Sequence, residues 1–422
     1  MWYFVYNYFL LPALDILIRF AAIFNKKIKE GISGRINLFE NLEKNVGKLD
    51  NSLKTIWFHS SSMGEFEQAK PVIEKLKNEM KINIAVTFFS PSGYKNSLKY
   101  PYADLISYLP FDYPAPMEKF IKIVNPSLVV LMRYDIWPNM IWQLKKMKVP
   151  VLLIDATMRS DSKRLSPVLR DFHNKVFSDI SAFLTVSQND AANFLKFNAV
   201  KENVEPAGDT RFDRVFQKSI AAKDKKIFKD GIFENKKVIV FGSCWEEDEE
   251  VMIPALLKLA ENDPDFIFIL VPHEPTVQHI EQLELQLERK IPYIRFSLLN
   301  NYKNEKVIII DTIGILLTLY YYADAAYVGG SFKQGIHNVL EPAVYGIPVI
   351  FGPKIENSQE AKKMVSLGCG FVVNNKKEAY KTLRKLFTGE ENLKHIGEIS
   401  RKYVIENTGA TEKIIREIQK YL

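Results

Sequence analysis

The chain has 422 residues, with 57 Lys and Arg against 50 Asp and Glu, and a net charge of +7. That length exceeds one ordinary core and implies two or three domains. A hydrophobic share of 47% and a charged share of 25% exclude a disordered, collagenous or disulfide-stapled chain. Cys244 and Cys369 lie far apart, and the six histidines form no HxxxH or HExxH spacing. A reducing compartment, two free thiols and no metal site are therefore expected. The positive charge suits nucleic acid, an anionic membrane or anionic substrates. No basic run interleaved with aromatics and no zinc-finger spacing is present, so no nucleic-acid partner is expected.

Residues 1–24 (MWYFVYNYFLLPALDILIRFAAIF) are nearly all apolar or aromatic, and a span needs roughly 20 residues. Pro12, Asp15 and Arg19 interrupt the run, and a charge at the bilayer centre costs about 2.5–3.5 kcal/mol. At i,i+4, Asp15 and Arg19 share a helix face and offset each other. No basic stretch precedes the run and no small-residue cleavage site follows it, which argues against a signal peptide. Lys26, Lys27 and Lys29 follow at once, as in a segment held against an anionic leaflet. The expectation is an interfacial anchor helix, with a true span or a helix buried in the core as the alternatives.

After a polar stretch at 44–54, short β-branched runs alternate with helical spacing. The runs 55–60, 82–88, 128–132, 149–156 and 182–187 predict buried strands. Helices are predicted between them, for example over 67–80 and 139–148. The charged stretch 218–236 predicts a linker between domains, and the rhythm then restarts at 237–243, 266–272, 306–311, 325–331 and 348–353. Alternation of this kind indicates two doubly wound parallel sheets, here over 25–217 and 237–405. A last helix over 406–422 is expected, able to pack back on the first domain. Two such domains place their ligand crevices at the strands' carboxyl ends, and are expected to face a central cleft.

The loops after those strands carry the unusual residues. In HSSSMGEFEQAKP, Ser61, Ser62 and Gly64 lead from a strand into a helix, and their N–H groups suit an anion. Glu65 stands in the first turn, as a base or as a simple complement to the helix dipole. In VLMRYDIWPNM, Asp135 beside Trp137 suits either a sugar contact or a capped helix start. Arg159 and Arg164 in DATMRSDSKR suit a carboxylate or phosphate, or form a solvated basic loop; Arg211 in AGDTRFD resembles them. The most informative segment is YVGGSFKQGIHNVLEPAVYGIPVIFGP (327–353). Gly330 and Ser331 end a strand, a helix is predicted from near Asn338, and Glu341 falls in its first turn. Glycines allow close approach and a helix start offers N–H groups to phosphate, while a carboxylate there can accept from two ribose hydroxyls. Ser243, after the domain's first strand, is a phosphate donor by position, and Pro272 and His273 in VPHEPT would wall the base pocket.

Together these segments resemble the 3-deoxy-D-manno-octulosonic acid (Kdo) transferase family. The resemblance rests on GR (34–35), WFHSSSMGEFEQAKP (57–71), TFFSPSGY (87–94), IWPN (136–139), MRSDSKR (158–164), VSQND (186–190), GDTRFD (208–213), GSCWEEDEE (242–250), the 320–331 block and HNVLEP (337–342). It implies the α/β GT-B fold and an inverting, metal-independent transfer of Kdo from CMP-Kdo to lipid IVA, a lipid A precursor, with no cofactor. It also implies the cytoplasmic face of the bacterial inner membrane as the place of work, with CMP-Kdo, the lipid A precursor and an anionic membrane surface as partners. The general base of the family's SxGE motif is matched by Glu65. Its CMP site is matched by His337, Asn338 and Glu341, with Gly330 and Ser331 beside them. The chain departs from the pattern at Arg133, where the family's ExExWPN motif starts with glutamate, at Pro272–His273–Glu274 for PRH, and at Ile336 for a glycine. Competing readings are another GT-B enzyme using a UDP-sugar and a lipid-linked acceptor, and a non-catalytic membrane-associated sugar-nucleotide-binding scaffold.

Overall fold

The apolar runs form strands buried on both faces, the condition that parallel sheets impose. The computed structural model describes residues 1–198 and 203–422, which divide into Met1–Arg214 with Thr408–Leu422, and Val215–Asn407. In the first unit the strands are β1 (Thr55–Ser60), β2 (Asn83–Phe88), β3 (Leu105–Tyr108), β4 (Leu128–Met132), β5 (Val151–Ala156), β6 (Ala182–Thr185) and β7 (Val204–Pro206). They pair in the order β3-β2-β1-β4-β5-β6-β7. The second unit contains β8 (Lys237–Cys244), β9 (Phe266–Pro272), β10 (Tyr293–Arg295), β11 (Val307–Ile309), β12 (Ala325–Val328), β13 (Val349–Phe351) and β14 (Gly370–Val372). Their order is β10-β11-β9-β8-β12-β13-β14. All pairings in both sheets are parallel.

Each sheet starts at a central strand, builds to one side and then crosses to the other. The reversal lies between β1 and β4 in one sheet and between β8 and β12 in the other. A doubly wound sheet opens its crevice at that reversal, outside the carboxyl ends of the two strands. The unusual loops of the sequence fall at these two places.

One correction concerns the domain edges. The stretch 218–236 is not a free linker. The unit boundary falls within the helix Thr210–Lys223, and Phe228 packs with Phe233 and Tyr322 in the second unit's core. The chain returns to the first unit at its end: Ile414, Ile415 and Ile418 of the helix Ala410–Gln419 join the core on the Met63–Glu79 side of the sheet. Asp213 fixes that return by accepting from the Gly409 and Thr411 N–H groups at 2.6 Å each.

The N-terminal segment Trp2–Phe24 is one helix of 23 residues, with a π turn at Tyr6–Leu10 and buried residues at Tyr6, Leu11 and Ala22. Its exposed residues include Phe4, Phe9, Leu17, Phe20 and Phe24, so the buried-core alternative does not hold. Asp15 and Arg19 pair at 2.9 Å. One edge docks on the first unit: Trp2 and Tyr6 pack on Phe172, Tyr3 and Tyr6 on Trp142. The side-chain amides of Asn7 and Asn139 exchange hydrogen bonds at 3.1 and 2.7 Å.

The helix Pro138–Lys146 starts after Trp137, which cannot cap it. Buried Asp112 does so instead, accepting from the Asn139 and Met140 N–H groups and from the Tyr6 hydroxyl, all at 2.9 Å. Burial pushes its carboxyl up to about 7 against those donors. A raised carboxyl stabilises the fold fully at low pH and loses that contribution as pH rises toward 7. Because the Tyr6 donor favours the ionised form, Tyr6→Phe should cost about 1–2 kcal/mol. The loss should be larger at pH 8 than at pH 5 in chemical denaturation.

Candidate active site

In the first unit, β1 runs wholly buried into Ser60 and the loop Ser61–Ser62, and the helix Met63–Glu79 begins there. The Ser62 N–H donates to the Glu65 carboxylate at 3.0 Å, half of a capping box. The Ser61 N–H also bonds it. The loop N–H groups expected to receive an anionic ligand are thus turned on the protein's own carboxylate. Glu65 is 8% exposed. Burial raises its pKa, the Asp135 charge adds to that, and the two N–H groups and His59 oppose it. The dipole effect anticipated from its place in the first turn is outweighed, and the balance favours a base.

Asp135 comes from the loop after β4, across the sheet reversal. Its Oδ2 lies 2.8 Å from Nε2 of His59, a fully buried residue of β1. Arg133, where the family has a glutamate, takes a left-handed φ of +59° and offsets the buried Asp155 carboxyl. Arg164 donates to the Tyr134 carbonyl at 3.2 Å. Burial lowers its pKa and Asp135 acts the other way. It lines a cavity of about 360 Å³ with Tyr134, Thr157 and Met158. Arg159 lines the same cavity and forms an exposed pair with Asp161 at 2.8 Å. Arg211 is held by Asp209 at 2.6 Å. Asp135 acts on Arg164, whereas Arg159 and Arg211 are paired with carboxylates two residues away in sequence.

Gly34–Arg35 proves to be scaffold. Arg35 donates to the carbonyls of Leu109, Gly31 and Phe89 at 2.7, 2.6 and 2.8 Å, and stacks on Phe89 and Tyr108. Burial draws its pKa down to about 10. Phe89 in turn stacks on Trp137 at 4.8 Å, so this hub supports the loop that carries Asp135.

The second unit has its own constellation at the β8–β12 reversal. Trp245 stacks on His273 at 4.4 Å, and His273 on His337 at 4.5 Å. The Trp245 Nε1–H donates to His337 Nε2 at 3.1 Å, so the ring proton of His337 is on Nδ1. Burial, then His273, lowers the His337 pKa to about 4, so the ring is a neutral donor at physiological pH. Asn338 donates to Glu341 at 3.3 Å and accepts from the Leu340 N–H at 3.1 Å. Pro272 closes β9 immediately before His273.

The helix begins at Leu340, two residues past Asn338 and with Glu341 in its first turn as expected, but it runs only to Ala343, too short for a macrodipole argument. One expectation for this half is corrected. Gly330 and Ser331 are internal supports. The Gly330 N–H donates to Asp248 at 2.8 Å, and the buried Ser331 hydroxyl accepts from the Gly352 N–H at 2.6 Å. The glycines admit backbone rather than ligand. A Cβ on Gly329 would lie 2.3 Å from the Ser243 carbonyl, and one on Gly330 would lie 2.3 Å from that of Gly335. Ser243 itself is at φ +53°, a conformation few L residues adopt. Asp248 was not anticipated; it accepts from the Trp245 and Gly330 N–H groups and the Tyr327 hydroxyl. Among the described residues, no group of three or more His, Cys, Asp or Glu is placed to hold a metal ion.

Two doubly wound parallel sheets, each with its polar constellation at the reversal, define an α/β protein of the GT-B glycosyltransferase class. The family model described as 3-Deoxy-D-manno-octulosonic-acid transferase (kdotransferase) matches residues 31–214. The chain is 30% identical over 363 residues to the 3-deoxy-D-manno-octulosonic acid transferase of Aquifex aeolicus, covering 84% of this chain and 93% of that one. It belongs to the Kdo transferase family. The Haemophilus influenzae 3-deoxy-D-manno-octulosonic acid transferase is 26% identical over 437 residues, covering 100% of this chain and 99% of that one. A bifunctional glycosyltransferase/methyltransferase of Fusobacterium nucleatum is 27% identical over 86% of this chain, which spans 56% of that relative's length. Among solved structures, the UDP-GlcNAc 2-epimerase from Neisseria meningitidis bound to UDP-GlcNAc matches with a TM-score of 0.61 and 16% identity, over 87% of this chain and 100% of that one. At that identity the likeness concerns the fold alone.

Proposed function

We propose that the chain transfers Kdo from CMP-Kdo to lipid IVA at the cytoplasmic face of the bacterial inner membrane, with inversion and without a cofactor or metal. The observation that carries this reading is Glu65: a largely buried carboxylate at the β1–β4 reversal whose pKa is raised by its surroundings. A base of that kind takes the proton from an acceptor hydroxyl as the hydroxyl oxygen attacks the anomeric carbon and the CMP phosphate leaves. Ser61 and Ser62 hold the base, which Gly64 precedes in the helix's first turn, Asp135 tunes it, and Arg164, with Arg159 and Arg211, gives the first unit positive charge for a phosphorylated acceptor.

In the second unit, the Trp245–His273–His337 stack beside Pro272 offers a flat aromatic wall to a pyrimidine. The Nδ1–H of His337 suits a phosphate oxygen, and Glu341, steadied by Asn338, suits ribose hydroxyls. Ser243, Gly330 and Ser331 shape that wall from behind. The exposed apolar face of the N-terminal helix, followed by Lys26, Lys27 and Lys29, suits an interface between acyl chains and anionic headgroups.

The test is incubation of the full chain with CMP-Kdo and tetra-acylated lipid A precursor in mixed micelles, followed by mass spectrometry. The expected product carries one or more added Kdo units. In parallel, CMP should raise the melting temperature more than UDP at equal concentration. Transfer from a UDP-sugar with a larger UDP shift would replace this reading. Nucleotide binding without turnover on any lipid A precursor would favour a scaffold.

A further inference from the structure

We propose that His59 is a positioning residue that fixes the Asp135 carboxylate beside Glu65, an assignment that rests on the transfer reading above. Its ring is wholly buried on β1, between β2 and β4. Nε2 is 2.8 Å from Asp135 Oδ2 on the loop after β4, and Nδ1 is 2.8 Å from Thr87 Oγ1 on β2. A carboxylate only accepts, so the Nε2–H donates to Asp135. The Thr87 oxygen already accepts the Nε1–H of buried Trp57 at 2.7 Å, which leaves its own proton for Nδ1. The chain Trp57→Thr87→His59→Asp135 therefore runs one way and selects the Nε2–H tautomer.

Asp135 needs such a holder. It sits in an irregular loop between left-handed Arg133 and the helix that starts at Pro138. The titratable and charged groups that act on it are His59, Glu65, Arg164 and Asp112. Glu65 faces Asp135, His59 and the N–H groups of Ser61 and Ser62. Of these only Asp135 is a like charge, so its distance tunes the base. His59 sets that distance: its hydrogen bond stops the carboxylate from turning away.

The decisive comparison is His59→Gln against His59→Asn in the full-length protein. A glutamine amide nitrogen reaches the place of Nε2 and can still donate to Asp135. An asparagine reaches only the place of Nδ1, and keeps Thr87 while dropping Asp135. The midpoint of the Glu65 carboxyl is read by ¹³C NMR titration, and the acid limb of kcat/KM by initial rates. Both variants lose the direct effect of the ring on Glu65, so they are read against each other: in His59→Asn both readings should lie at lower pH than in His59→Gln by about half a unit or more, roughly threefold in rate on the limb. Asp135→Asn should do the same, and the double variant should add nothing further.

Equal midpoints in the Gln and Asn variants, or additive shifts in the double variant, would overturn the assignment. The wild type supplies a check that needs no substitution: ring ¹⁵N shifts must show the Nε2–H tautomer, and an Nδ1–H tautomer rejects the proposal. Absence of turnover in the wild type would sink the transfer reading alone, because the NMR midpoints still report whether His59 governs the Asp135–Glu65 pair.

Discussion

Glu65→Gln is expected to lower turnover by about 10²–10⁴-fold and, at the same time, to raise thermal stability at neutral pH. Both effects have one cause. Burial and the Asp135 charge hold the Glu65 pKa above the ordinary carboxylate range. A base must be ionised, so the wild-type kcat/KM should fall as pH drops through that raised value, at higher pH than an exposed glutamate would require. The stability effect has the opposite sense. A folded-state pKa above the unfolded one means that the native state binds the extra proton in the intervening range. Its stabilisation is complete below the unfolded pKa and is lost as pH rises through the folded one. At neutral pH the wild type therefore keeps an ionised carboxylate in a site that disfavours it. Glutamine removes that charge and can still accept from the Ser62 N–H. Melting temperatures at pH 7.5 and pH 4 check this: the variant should be the more stable at pH 7.5, with the gap closing at pH 4. Unchanged turnover would remove Glu65 as base, and a variant less stable than wild type at pH 7.5 would show that the helix-capping role outweighs the cost of the charge.

That trade is legible in the sequence only in part. The residues HSSSMGE after an apolar run place a glutamate at a helix start, but the same spacing suits a simple dipole complement. What separates the two is burial and the approach of Asp135, which lies 76 residues from His59 and contacts it only in the fold. The same holds for Asp112 with Tyr6, 106 residues apart, and Asp248 with Gly330, 82 apart. A polar side chain inside a buried strand was the available signal for His59. For Asp248 it was an acidic residue at the third position of a helix behind GSCW.

The strands follow a similar logic. The runs over 55–60 and 266–272 match β1 and β9 to the residue because central strands are buried on both faces and read as unbroken apolar runs. The strands not anticipated, β3, β7, β10 and β14, are the edges of the two sheets. They are 3 or 4 residues long, and β7, β10 and β14 are largely half-buried, so they leave no such run. The glycines misled for a related reason. A glycine pair after a strand reports a close approach but not by what, and at Gly329–Gly330 the approaching groups are the Ser243 and Gly335 carbonyls.

Asp248→Ala is the second large effect expected, and it follows from that crowding. One carboxylate, 1% exposed, joins three separate pieces: the Trp245 N–H at 2.9 Å, the Gly330 N–H at 2.8 Å and the Tyr327 hydroxyl at 2.6 Å. These belong to the loop after β8, the loop after β12 and β12 itself. Each donor left buried without a partner costs about 1–3 kcal/mol, so the loss should be about 3 kcal/mol or more, read as a lower denaturant midpoint. Burial raises the Asp248 pKa and the three donors oppose that shift, so the group is retained for connection rather than for charge. Asparagine is no remedy, because its amide nitrogen would meet one of the three donors. Tyr327→Phe, which removes a single donor, should cost only about 1 kcal/mol. The Trp245 backbone is one of the tethered pieces, so Asp248→Ala should also abolish the CMP-induced thermal shift at temperatures where the variant remains folded, while Tyr327→Phe keeps it. Equal costs for the two variants would mean that backbone and water replace the carboxylate, and the Trp245–His273–His337 stack would then owe its geometry to packing alone.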